Sequence, residues 1–135
     1  MVKRRKRLGA VEQHRQMRYL RESQAQLIRE IYPDVERIVI DLSFRDFDEK
    51  CNPSPSQLIF TPKSKAFFEI ECPFWECILG GFDFSSDIRR CIESKSNSIS
   101  GQATCQGWQD QERINKHRCL LRANFTISVN YASSV

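Results

Sequence analysis

The sequence predicts an α+β domain, two helices on a largely antiparallel four-stranded sheet in the order α-β-β-α-β-β. Three observations carry this. Apolar residues recur at three- and four-residue steps near the N terminus, and at two-residue steps in Ile38–Phe44 and again in Cys119–Tyr131. A short helical stripe lies between Gly81 and Asn97. In domain terms, residues 1–9 are expected to be a mobile basic arm and residues 10–135 a single domain, with a helix over 10–32 and a sheet core over 33–135.

The first helix is expected from Ala10 to Tyr32. Met17, Leu20, Leu27, Ile28 and Ile31 fall on one face, which should dock on the body or on a partner helix. Arg7, His14, Arg15, Arg18 and Arg29 fall on the other, which should stay wet. Pro33 ends the helix, because a residue before proline avoids helical angles. The first strand follows, with Ile38, Ile40, Leu42 and Phe44 alternating with Arg37, Asp41, Ser43 and Arg45.

From Phe47 to Lys65 the chain carries Pro53, Pro55 and Pro62 and reads as a long loop, with a short extended piece at Gln57–Phe60. A second strand is expected at Ala66–Cys72. Gly80 and Gly81 break it, and Asp83 caps a short helix whose buried stripe is Phe84, Ile88, Cys91 and Ile92. Ile99–Gly107 is the third strand and Cys119–Tyr131 the fourth. A hairpin centred near Glu112 would set Cys105 opposite Cys119, Ala103 opposite Leu121 and Ile99 opposite Phe125.

Of 135 residues, 40% are hydrophobic and 28% charged, which fits one packed core and excludes disorder throughout. With five Gly and five Pro the chain is not collagen-like, and no apolar run is long enough to span a membrane. The net charge is +4 but uneven: residues 1–31 carry nine Lys/Arg and three Glu, or +6, leaving −2 for the rest. That asymmetry suits contact with a polyanion, and equally a solvated helix face. The basic start lacks a following apolar segment, so no secretory signal is expected, and the six cysteines should meet a reducing cytosol as thiols or metal ligands.

Those cysteines stand at 51, 72, 77, 91, 105 and 119, without a Cys-x-x-Cys pair. Topology suggests more than spacing does. Cys72 and Cys77 bracket the exit of the second strand, and the hairpin brings Cys105 and Cys119 to the same end. Four thiolates there are a candidate structural zinc site. The competing account is a cluster of small buried hydrophobes, since unpaired Cys packs well in cores. Cys91 should face the core from its helix, and Cys51 lies in the long loop.

Other chemistry is weaker. His117 and Cys119 could form a base and nucleophile, but no third group orients the histidine. Gly80-Gly81 before a helix resembles an anion nest, yet it matches no phosphate-loop pattern, and Asp83 and Asp87 oppose phosphate. Trp75 and Trp108 should gather at the cysteine end beside Arg113, Lys116 and Arg118, as base-stacking and phosphate-binding side chains or as a roof on the core. The function expected is a non-enzymatic binding module associated with RNA, a ribonucleoprotein or another polyanion. Lys3, Arg4, Arg5, Lys6, Arg7, Arg15 and Arg18 would supply attraction beside the tryptophan-bearing end. The alternative is an assembly component that docks a protein partner through the first helix; a small enzyme using Cys119 or Cys77 is less favoured.

Overall fold

The structure, a computed structural model, describes residues 2–46, 53–74, 77, 79–105, 107 and 119–132, with side chains described from Glu12 onward. The elements are α1 (Val2–Gln24), α2 (Ile28–Ile31), β1 (Val35–Asp46), β2 (Ser56–Phe60), β3 (Glu69–Glu71), β4 (Gly81–Asp83), α3 (Ser85–Glu93), β5 (Ser98–Thr104) and β6 (Leu121–Tyr131). The class is α+β. Four strands form an antiparallel sheet in the order β2-β1-β6-β5, and β3 and β4 pair as a separate two-stranded sheet.

The central pair, β1 and β6, carries the alternation that the sequence displays. Ile38, Ile40 and Leu42 of β1 and Leu121, Ala123, Phe125, Ile127 and Val129 of β6 are buried on one face. Arg37, Asp41, Ser43 and Arg45 lie exposed on the other. On the buried side α3 contributes Ile88 and Cys91, and Phe84 just before it stacks edge-on to Phe125 at 5.2 Å. Asp83 sits one residue ahead of the N-cap, Phe84, but its carboxylate still accepts the first-turn N–H of Ser85 at 2.9 Å. Cys91 keeps its expected place in the core, its thiol donating to the Ser96 carbonyl at 3.2 Å.

Four sequence expectations need correction. The fourth strand of the main sheet is Ser56–Phe60, expected only as a short extended piece, whereas the segment expected at Ala66–Cys72 shrinks to Glu69–Glu71 in the small sheet. The β5–β6 register differs by two residues: Ala103 opposes Ala123 and Ile99 opposes Ile127. Gly101 then faces Phe125, whose ring fills the space a side chain would need, since a Cβ on Gly101 would come within 2.7 Å of it. An even shift keeps the same residues on the buried face, so the core is unchanged.

The first helix also differs in extent. It opens at Val2, because the Lys/Arg-rich start has good helix propensity and no proline. It stops at Gln24 because the next backbone groups pair elsewhere: Ile28 N–H donates to the Ser64 carbonyl at 2.9 Å, Arg29 N–H to Pro62 at 3.1 Å, and Ala66 N–H to Gln26 at 2.7 Å. Lys65 closes the helix end by donating to the Ser23 and Ala25 carbonyls at 3.1 and 2.9 Å.

The fourth correction is the helix face. Met17 and Leu20 are exposed, and Arg18 is the side chain turned toward the body. Its guanidinium donates to the Glu69 carbonyl at 3.0 Å, stands 3.4 Å from the Glu71 carboxylate and lies 5.7 Å from the centre of the Phe67 ring. Arg21 grips both oxygens of Glu69 at 2.8 and 3.3 Å, and Arg15 reaches Glu71 at 3.7 Å. Two acidic side chains on β3 thus outcompete the apolar stripe for the inner face of α1. Of the expected apolar set, Ile28 is fully buried, on α2.

Candidate metal centre

The small sheet positions one half of a sulfur cluster. Its register pairs Glu71 with Gly81, so Cys72 leaves β3 beside Gly80 as the chain enters β4. Between them, Cys77 N–H donates to the carbonyl of Phe74 at 3.0 Å, and Phe74 is buried. Leu79 adopts φ 58°, a left-handed turn that is uncommon for a leucine and folds the loop back.

The main sheet positions the other half. Just beyond the β5–β6 ladder, Cys105 N–H donates to the Leu121 carbonyl at 3.0 Å and Cys119 N–H to the Gly107 carbonyl at 2.9 Å. The two cysteines are therefore not opposite each other, as expected, but each faces a residue two positions from the other. The pleat still points both inward, and both are buried.

The two halves meet. The Sγ atoms of Cys72, Cys77, Cys105 and Cys119 all lie within 4.8 Å of one another. Cys72 and Cys119 approach to 3.7 Å, and Cys77 and Cys105 to 3.6 Å. Sulfurs placed about 2.3 Å from a central metal ion form a tetrahedron with edges of about 3.8 Å. Both close pairs match that edge, and a disulfide would need a separation of about 2.05 Å. The cluster is compatible with a metal site.

Its surroundings fit the same reading. The Gly107 amide donates to the Cys105 sulfur at 3.3 Å, a contact that favours thiolate. Gly80 lies so close that a Cβ would sit 2.5 Å from both Cys77 Sγ and Cys105 Sγ. Hydrogen bonding with Cys105, and then Cys119, pushes the Cys72 and Cys77 thiols up, with burial adding to the effect. Cys105 is pulled down by hydrogen bonds with Cys119, Cys72 and Cys77 and by the Gly107 amide. In Cys119 an upward push from Cys105 is outweighed by Cys72 and Cys77, so it too is pulled down. The four thiols are thus strongly linked to one another in their ionisation. Ionising all four at such distances calls for a cation among them.

The remaining sequence candidates divide. Arg15 and Arg18 are engaged with Glu69 and Glu71 of β3. Lys3, Arg4, Arg5, Lys6 and Arg7 lie on the backbone of α1. Trp75, Trp108, Arg113, Lys116, His117, Arg118 and Cys51 fall outside the described residues. Sequence reasoning read Gly80 as a break and turn rather than as a neighbour of the sulfurs, and did not single out Gly107. The signal for Gly80 was a glycine three residues after Cys77, where the chain passes two sulfurs with no room for a side chain. Comparison with protein-family models, curated proteins and solved structures finds no match.

Proposed function

We propose that this chain is a non-enzymatic binding module organised around a structural zinc ion held by Cys72, Cys77, Cys105 and Cys119, and that its partner is RNA or a ribonucleoprotein. The convergence of four sulfurs from three separated segments, with two pairs at 3.6 and 3.7 Å, carries the zinc reading. An all-sulfur donor set suits zinc, and four protein ligands leave no coordination position for water, the arrangement of structural rather than catalytic sites. The ion would tie the β3–β4 loop to the end of the β5–β6 ladder, segments that no other covalent link joins among the described residues. Chelation tests this reading: it should lower the melting temperature markedly, and added zinc should restore it. An unchanged melting curve, with no zinc in the purified protein, overturns it.

The RNA reading rests on charge. Five consecutive basic residues, Lys3 to Arg7, open the +6 N-terminal segment. Neutralising phosphates with these side chains releases counterions, so affinity should fall linearly with salt on logarithmic axes. Deletion of residues 1–9 should flatten that slope. No RNA binding at low salt would contradict this half of the proposal and leave the zinc centre standing.

A further inference from the structure

The four sulfurs approach in two pairs, Cys72 with Cys119 at 3.7 Å and Cys77 with Cys105 at 3.6 Å. Each pair crosses from the small sheet's loop to the main sheet. Each also sets a partly exposed sulfur, Cys72 or Cys77, beside a buried one, Cys119 or Cys105. Gly80 lies against Cys77 and Cys105 with no side chain to obstruct them. A central ion keeps such sulfurs about 3.8 Å apart, whereas a disulfide brings them to about 2.05 Å.

We infer, building on the zinc reading, that the cluster is an oxidation site for peroxide: it gives up its ion and closes as two disulfides, Cys72–Cys119 and Cys77–Cys105. Cys72 and Cys77 react first because they are the partly exposed sulfurs, and metal-bound sulfur is thiolate, the form that peroxide attacks. The thiolate attacks one peroxide oxygen and the O–O bond breaks, leaving a sulfenic acid and hydroxide. The buried thiolate beside it attacks that sulfur; the S–S bond forms, and the S–O bond breaks to release a second hydroxide. Each new disulfide has given two electrons to one peroxide, and two protons from solvent convert the hydroxides to water. Because both links cross between the sheets, the oxidised chain keeps covalently the tie that the ion supplied. Links of Cys72 to Cys77 and of Cys105 to Cys119 would sever it.

The test uses the full chain as purified, with its zinc measured first. Hydrogen peroxide is added in steps, and zinc release is read with a colorimetric chelator. The oxidised chain is then digested without reductant by chymotrypsin, which cuts between Cys72 and Cys77 at Phe74, and mapped by mass spectrometry. One zinc should leave for every two peroxides consumed, with Cys72 joined to Cys119 and Cys77 to Cys105. Cys91, buried and outside the cluster, should remain a thiol. Chelator should not move the melting temperature of the oxidised chain, and a thiol reductant with zinc should restore the starting form. Zinc retained under peroxide, sulfinic acids in place of disulfides, or any other pairing among the four overturns this inference and leaves the metal centre standing. Protein that holds no zinc at the start overturns the metal reading and this inference with it.

Discussion

Cys77 and Cys105, 28 residues apart in sequence, bring their sulfurs to 3.6 Å across the gap between the small sheet and the main one. Gly80 makes that approach possible, since its missing side chain is the space both sulfurs occupy. Gly80→Ala should therefore weaken zinc binding by about 10- to 100-fold, the range for disturbing the support of a metal ligand. Competition with a colorimetric chelator measures it. Affinity within about twofold of the parent would mean that the loop relaxes freely.

Cys91 supplies the contrast. It is a fully buried thiol on the inner face of α3 that donates to the Ser96 carbonyl, and it takes no part in the four-sulfur cluster. Cys91→Ala should lower stability by about 1–2 kcal/mol through lost packing, while leaving one zinc per chain. Cys105→Ser should do the opposite: loss of zinc, and with it a large drop in melting temperature. Metal analysis of the two variants side by side checks this, and zinc loss in Cys91→Ala would contradict the ligand assignment.

The pH dependence has a defined sign. Hydrogen bonding with Cys105 and burial push the Cys72 and Cys77 thiols above the ordinary value. Zinc must displace their protons, so its affinity should rise as pH rises and fall on acidification. Chelator competition between roughly pH 6 and 8 should show the apparent dissociation constant decreasing steadily with pH. A flat profile would mean that no thiol proton is released.

The docking of α1 rests on exposed and half-exposed ion pairs. Glu69→Gln removes the carboxylate that Arg21 grips with two hydrogen bonds. The cost to global stability should be small, about 0.2–1 kcal/mol. Hydrogen exchange should rise selectively in α1, and more so at high salt in the parent chain. Zinc content should not change. Protection in α1 that is indifferent to both the substitution and salt would show that other contacts hold the helix.

Much of this architecture is legible in the residue pattern, and what is not has identifiable causes. The alternation of Ile38–Phe44 and of Leu121–Tyr131 reports half-buried strands directly, because the pleat imposes a period of two. Strand direction anticipates convergence of the four cysteines with Cys72 on a strand of the main sheet; the structure brings them together although Cys72 leaves a strand of the small one. The two-residue register error survives that reasoning because an even shift leaves every side chain on its face; only the Phe125 ring over Gly101 selects the register. The inverted face of α1 is invisible to periodicity, since Glu69 lies 48 residues from Arg21 and nothing local announces the pair. Strand β2 was underrated because Ser56–Phe60 is short and sits among prolines, and pairing with Ile38–Leu42 of β1 makes it a strand.

X-ray absorption at the zinc edge of the purified protein reads the coordination shell itself. Four sulfur neighbours at about 2.3 Å, with no nitrogen or oxygen in the shell, are expected if Cys72, Cys77, Cys105 and Cys119 surround one ion. A shell of mixed light atoms and fewer sulfurs, or protein that holds no metal yet keeps its fold in chelator, would contradict the proposal that a metal joins the two sheets.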